Sequence, residues 1–461
     1  MSYLLPRRRG DHPFRPVLFI AIGAGIGLSA AFLFFAPRVT AFSPASGEAV
    51  GSYAAVEISF SVPMDPECTA AHFSIDPAVE GELTIEGDSL RFAPKDPWPS
   101  GGGVRAALQA GACSTRGLPL LGGVSWTFTP TLLRLAFLPS GGTSGSLMGV
   151  PADGGEPSIL ARAPEPIQDY DLSQRGDFAV FSTGPLNQPG KLWRTRLDGG
   201  EAELLLDCGS DSCSEPALSP DGFLVAYVRK PAAAGVENFS SPYIELLTLS
   251  DGRTRRISSP GHVAGNPTWS GQGWLSYFDG SRPAIVVDDL AGGQTVIPNY
   301  TGATWCWLPD GSAIIFPEIE IASGDENEES SPRLLSPLFR VELKTNRRIN
   351  LSGADLLEDG SPAVSPDGLR LAFSRNFFDA RWTPGKQLWI MDLEGGSLRQ
   401  LSRAPDYSYS AIRWSPDGSL LVCMLFHETA PEDPPEIWRF GADGSDPRRL
   451  VVGGFLPKWL P

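Results

Sequence analysis

A turn phrase of the Ser-Pro-Asp-Gly kind recurs down this chain, each time just ahead of a short apolar run. It reads Leu218-Ser219-Pro220-Asp221-Gly222, Trp307-Leu308-Pro309-Asp310-Gly311, Val364-Ser365-Pro366-Asp367-Gly368 and Trp414-Ser415-Pro416-Asp417-Gly418. A degenerate copy, Trp269-Ser270-Gly271-Gln272-Gly273, lies between the first two. Pro presets φ, Asp can hydrogen-bond its own turn, and Gly tolerates positive φ, so each phrase is a tight reversal between strands. A repeat on this scale decides the architecture before any local motif does.

The final copy spells out the unit. Ser410 to Trp414 is a strand, Leu420 to Phe426 a second, Glu436 to Gly441 a third and Arg448 to Val452 a fourth, the last two joined by the turn Ala442-Asp443-Gly444-Ser445. Four such strands make one antiparallel sheet. A lone sheet of this kind cannot bury both faces, so the copies must pack face to face around an axis. Asp367 and Asp417 are 50 residues apart, and Asp310 and Asp367 are 57 apart. A propeller blade takes about 40–45 residues, so loop inserts account for the excess. Residues 132–162 hold only the last three strands of a unit, and Phe455 to Pro461 supplies a first strand. Pairing the two would close a ring and leave no open sheet edge. The count is then seven blades, or six if the weak unit around Gly271 or Tyr170 is not a blade. The fold class is all-β.

These phrases resemble the TolB-like propeller repeats, in which a Trp-Ser-Pro-Asp-Gly turn precedes an apolar strand and a later Asp-Gly-Gly turn. The resemblance covers residues 131–461. It implies a β-propeller, a scaffold that serves as a protein-binding platform, a peptidase gate or a part of envelope assemblies.

Val17 to Ala36 is apolar and carries no charge, a length that suits a membrane-spanning helix of about 20 residues. Arg7, Arg8, Arg9 and Arg15 precede it and Arg38 follows alone, which places the N-terminus in the cytoplasm and the rest outside. The competing reading is a signal peptide cleaved near Val39-Thr40-Ala41. Residues 1–36 are thus a basic tail and an anchor. Residues 37–130 read as a compact β domain, with Phe42-Ser43-Pro44-Ala45-Ser46-Gly47, Phe60-Ser61-Val62-Pro63-Met64-Asp65, Leu90-Arg91-Phe92-Ala93-Pro94 and a closing Trp126-Thr127-Phe128-Thr129. This order is similar to the SbsA-type bacterial Ig-like domain, which implies a spacer or adhesion module and brings no catalytic residues.

The whole chain has a formal net charge of −16. Its first sixteen residues carry four Arg and one Asp, a net +3, so the remainder carries −19. Phosphate binding needs clustered Lys and Arg, so no nucleic-acid partner is expected. Six Cys in an exported chain permit disulfides. Cys208 and Cys213 flank a short loop, and Cys68 and Cys113 share the Ig-like segment, so these are the candidate pairs. Cys306 and Cys423 fall on strands read as inner ones, where Cys acts as a small hydrophobe.

No catalytic residue, metal site or cofactor is expected. Gly87-Asp88-Ser89-Leu90 spells the motif of a serine hydrolase family, but it sits in a turn of the Ig-like segment with no βαβ framework around it. No GxSxG elbow exists. His12, His72, His262 and His427 lie far apart, with no metal-ligand spacing. The acidic run Asp325 to Glu329 reads as a solvated loop.

Long connections alternate with tight turns, so the inserts Lys230–Pro242, Glu318–Pro337, Asn376–Lys386 and His427–Pro435 share one face. Recognition usually resides on such loops. Phe377, Phe378, Arg381 and Trp382, with Tyr407 and Tyr409 nearby, are the candidate ligand-binding residues, since aromatic and Arg side chains anchor interfaces. The bland alternative is that they pack the insert onto its blade. The expectation is a non-enzymatic, membrane-anchored envelope protein whose propeller binds a protein, a peptide or a glycan. A glycan-processing enzyme and a membrane sensor are the alternatives.

Overall fold

The computed structural model describes residues 36–51, 54–94, 98–99, 103–131, 133–141, 145–174, 176–184, 188–197, 200–232, 241–322, 333–394 and 396–460. The chain divides into two compact units, one up to Leu132 and one from Leu133. The expected membrane helix, apart from Ala36, and the acidic run at 325–329 fall outside the described residues. Among the described residues no helix is long and apolar enough to cross a membrane.

The first unit is a sandwich of two four-stranded sheets. Val39–Ser43, Val56–Phe60, Ser89–Pro94 and Gly81–Glu86 make one; Ala49–Gly51, Val124–Thr131, Val104–Leu108 and Phe73–Asp76 make the other. Along Val56–Phe60 burial alternates, with Val56, Ile58 and Phe60 inward and Glu57 and Ser59 outward. That period of two is what a half-buried strand requires. Cys68, in the helical turn Pro66–Ala70, is bonded to Cys113. Gly87 has φ +58 and forms, with Asp88, the hairpin turn before Ser89–Pro94. Ser89 is thus the first residue of a strand in the sandwich.

The second unit contains seven four-stranded antiparallel sheets. In blade 1 Arg134–Pro139 pairs with Ser146–Pro151 on one side, which in turn pairs with Ser158–Arg162, and with Gly454–Leu460 on the other. The last strand of the chain therefore supplies the first strand of blade 1. Blades 2 to 7 begin with Ile167–Leu172, Ser212–Leu218, Ala264–Trp269, Cys306–Trp307, Leu357–Val364 and Tyr407–Trp414, and each continues through three more strands in order. A separate ribbon, Glu320–Ala322 with Arg333–Leu335, lies within the long connection of blade 5.

The repeated turn phrase has a side-chain logic. The Ser219 hydroxyl donates to Asp221 at 2.6 Å and accepts the Leu224 amide at 2.9 Å, while Asp221 accepts the Phe223 amide. Ser365 and Asp367, and Ser415 and Asp417, repeat the arrangement. Gly222, Gly368 and Gly418 have φ of 75°, 73° and 71°, which a Cβ would strain. The Trp of the phrase links neighbours. Trp269 donates to the Ala217 carbonyl at 2.9 Å, Trp414 to Ala363 at 2.9 Å and Trp459 to Arg413 at 3.2 Å. Each bond joins equivalent positions of successive first strands, and the last one joins blade 7 to blade 1.

Cys423 lies on the second strand of blade 7, Leu420–His427, as expected, and Cys306 on the first strand of blade 5. One placement differs from the sequence reading. The second strand of blade 6 runs Arg370–Phe377, into the insert expected at Asn376–Lys386, so Phe377 belongs to the sheet. Cys208 and Cys213 are bonded to each other between blades 2 and 3.

Candidate functional site

The first strands of the blades line a central cavity of about 430 Å³, to which all seven blades contribute. Their local geometry is unusual. The pairing of this strand with the second slips in blade 2 between Ile167 and Asp169, and in blades 1, 3, 4, 6 and 7 it slips by a bulge of one kind. At each bulge a non-glycine residue takes left-handed φ: Leu456, Glu215, Asn266, Ser361 and Ala411. Pro follows in four of the five, as Pro457, Pro216, Pro267 and Pro362. Pro cannot donate to a ladder, and a bulge is where a strand tolerates it. The bulge also re-aims the side chains beside it, here toward the cavity.

Charges of both signs line the cavity. Asp169 and Asp171 come from blade 2 and Glu215 from blade 3; Arg413 comes from blade 7 and Lys458 from blade 1. Lys458 Nζ lies 2.9 Å from Asp171 Oδ1 and 2.6 Å from the Tyr170 carbonyl, while Asp171 Oδ2 accepts the Leu218 amide at 2.8 Å. That pair is satisfied. Asp169 Oδ1 accepts the Tyr170 amide and Glu215 Oε2 the Asn266 amide, each at 2.7 Å. Among the described residues no cation lies within ion-pair distance of either carboxylate. Burial pushes the Asp169 carboxyl above its usual range. Burial does the same to Glu215, and the charge of Asp169 adds to it.

These shifts carry a sign that can be tested. An acid whose native pKa is raised penalises the native state wherever it must be ionised, that is, above the unfolded value of 3.8. Asp169→Asn keeps an acceptor for the Tyr170 amide and removes the charge. Thermal melts at pH 7 should show the variant more stable than the parent, and the gain should fade as pH falls through the carboxylate range. A variant less stable at pH 7 contradicts the account.

A second concavity, of about 600 Å³, lies between blades 6 and 7. The outer strand of blade 6, Arg399–Gln400, is only two residues long, against five for Arg448–Val452 in blade 7. Part of the blade 7 face is therefore left uncovered. Tyr407, Tyr409, Trp438, Phe440, Leu401 and Leu425 form the apolar walls. Arg403, Glu436, Asp446 and Arg449 supply the polar groups. Trp438 and Phe440 stack at 6.4 Å, and Tyr409 meets Phe440 edge-on at 6.1 Å. Glu436 is held from both sides: Trp438 Nε1 donates to it at 2.6 Å and Arg449 at 2.9 Å. Burial raises the Tyr407 phenol, and the carboxylate of Glu436 adds to the effect.

The six aromatic and Arg residues expected to form one site are divided by the fold. Phe377 is 5% exposed, edge-on to Trp389, with Arg381 stacked over it at 3.7 Å. Arg381 is paired with Asp379 and Asp355. Trp382 is 58% exposed and Phe378 half-buried on the same connection. Phe377 therefore packs the insert onto its blade. Tyr407 and Tyr409 line the aromatic groove, where Tyr409 is a 3%-exposed wall residue and Tyr407 is half-buried. None of the other four lines that groove. Sequence reasoning missed Trp438, Phe440 and Glu436, which sit on the third strand of blade 7, Glu436–Gly441. It also missed the charged cavity, whose one signal was the recurring X-Pro two residues ahead of the Leu, Trp or Val that opens the turn phrase, as at Pro216, Pro267, Pro362 and Pro457. Among the described residues no cluster of His, Cys, Asp and Glu is arranged to hold a metal ion.

Residues 35–130 match the bacterial Ig-like domain family. The uncharacterized peptidase YuxL of Bacillus subtilis is 30% identical over 156 residues, which is 34% of this chain and 21% of that protein. The chain thus spans about a fifth of the length of that curated relative. Among solved structures, puromycin hydrolase aligns with a TM-score of 0.52 at 14% identity, covering 70% of this chain and 52% of its own. TolB from Acinetobacter baumannii aligns with a TM-score of 0.43 at 14% identity, covering 85% and 84%. At such identities the likeness is one of fold. The chain carries a bacterial Ig-like domain at residues 35–130, followed by a β-propeller with TolB and other propeller proteins among its structural neighbours.

Proposed function

We propose that this chain is a non-enzymatic binding protein of the bacterial cell envelope, held at the membrane by its apolar N-terminal run, whose propeller docks a polypeptide segment in the groove between blades 6 and 7. The groove is the observation that carries the reading. Its volume falls within the range of about 300–1,000 Å³ found for binding pockets. Its walls are aromatic and its few polar groups converge, the composition of interface hot spots. Glu436, fixed by Trp438 and Arg449, offers a placed acceptor for a peptide amide. The apolar run at 17–36 with its preceding Arg residues supports membrane attachment, and the two disulfides suit an oxidising compartment.

Affinity capture tests this, with the full chain solubilised from the native envelope and a Trp438→Ala form as control. Removing a hot-spot aromatic costs about 2 kcal/mol or more, roughly a thirtyfold loss of affinity. A polypeptide enriched on the parent and depleted on the variant is expected. Equal recovery on both, or no enriched polypeptide, contradicts the reading.

A further inference from the structure

The central cavity shares no lining residue with the aromatic groove, and what it offers a ligand is different in kind. The Lys458–Asp171 pair neutralises itself. Three charged groups remain. Asp169 and Glu215 each accept one backbone amide through one oxygen, which leaves the second carboxylate oxygen of each open. Arg413, from blade 7, is exposed. Its Nη1 donates to the Ile412 carbonyl at 3.0 Å, and among the described residues no carboxylate lies within ion-pair distance of it. Burial works against both open acids in their ionised state; the charges of Lys458 and Arg413 offset part of this at Asp169, and a bound cation would relieve what remains. The backbone is committed to this layout. Glu215 and Asn266 hold left-handed φ of 52° and 56°, and the Asn266 amide fixes the Glu215 carboxylate. Strained non-glycine positions of this sort cluster where side chains are aimed at ligands.

We propose that the cavity binds a short zwitterionic peptide, its free amino terminus against Asp169 and Glu215 and its free carboxylate on Arg413. The charge layout selects both ends at once. A polyamine would leave Arg413 unmatched, and an acyl or phosphoryl anion would face two carboxylates. The cavity of about 430 Å³ lies within the pocket range of about 300–1,000 Å³. Arginine suits the carboxylate end because its planar fork can bond both oxygens.

The test is equilibrium dialysis of the full chain in detergent at pH 7, read by mass spectrometry. Three probes are compared: a degenerate tripeptide mixture, its N-acetylated form and its C-amidated form. Free tripeptides should be retained about tenfold or more over either blocked form, the scale of one lost charged hydrogen bond. In Glu215→Gln the penalty for acetylation should shrink while that for amidation persists. In Arg413→Gln the reverse should hold. Because each comparison is made within one variant, a partly unfolded sample does not imitate the pattern. Failure of the wild-type chain to retain free tripeptides overturns the proposal. So do blocking penalties that are the same in all three proteins. Neither result bears on the aromatic groove, which Trp438→Ala addresses separately.

Discussion

A chain truncated after Gly453 is expected to lose the cooperative unfolding of its propeller. The strand Gly454–Leu460 is the first strand of blade 1, paired with Arg134–Pro139. Its loss opens that sheet and exposes an unpaired edge, a template for aggregation. The damage extends to blade 2. The buried Tyr170 hydroxyl lies 2.7 Å from the Leu456 carbonyl and 2.8 Å from that of Ala136, so truncation removes one acceptor and the wall around it. Lys458 leaves Asp171, and the Trp459 bond to the Arg413 carbonyl is lost with it. Losses of several kinds at one seam place the effect above about 4–5 kcal/mol, beyond the usual reach of a single substitution. Limited proteolysis should show rapid cleavage within residues 133–453. A synthetic peptide of residues 454–461 added in trans should restore protection. Unchanged protease resistance would mean that the ring does not depend on this closure.

Arg375→Ala is expected to be the most damaging single substitution in the propeller. Arg375 and Asp359 are 1% and 0% exposed at their side chains. They form a bidentate pair, with Nε and Nη2 each 2.7 Å from a carboxylate oxygen. Ser352 also donates to Asp359. The guanidinium faces the rings of Phe373 and Phe377 at 4.9 and 5.7 Å. Deleting the Arg leaves a buried carboxylate with no counter-charge, a loss of about 3–5 kcal/mol. The double variant Asp359→Leu with Arg375→Met removes both charges, and such replacements are often neutral or stabilising by about 1–4 kcal/mol. Urea titration of the propeller transition should place the single variant far below the parent and the double variant near it. Additive losses in the double variant would contradict a desolvation account.

The sequence made the scaffold legible because its turns are chemical devices. Ser219, Asp221 and Gly222 each have a fixed task in the reversal, and the same tasks recur at Ser365 and Ser415, so the repeat survives variation in the strands between. The sites were less legible because they depend on strand length and side-chain parity. Phe377 reads as a loop aromatic unless its strand is known to run on to that residue, which turns it into the sheet beside Arg375. The aromatic groove needs residues from Leu401 to Arg449, and it exists because Arg399–Gln400 is too short to cover its neighbour. Nothing local to Trp438 announces that. The charged cavity gathers Asp169, Glu215, Arg413 and Lys458 across almost 300 residues, and only closure of the ring brings Lys458 beside Asp171.

The central claim is that the groove between blades 6 and 7 holds a polypeptide. Site-specific photocrosslinking tests it most directly, with a benzophenone amino acid replacing the half-buried Tyr407 and irradiation in the intact native envelope. A discrete protease-sensitive adduct is expected, lost when Trp438→Ala is combined with the probe. An adduct that persists with Trp438→Ala, an adduct resistant to protease, or no adduct at all would contradict the claim.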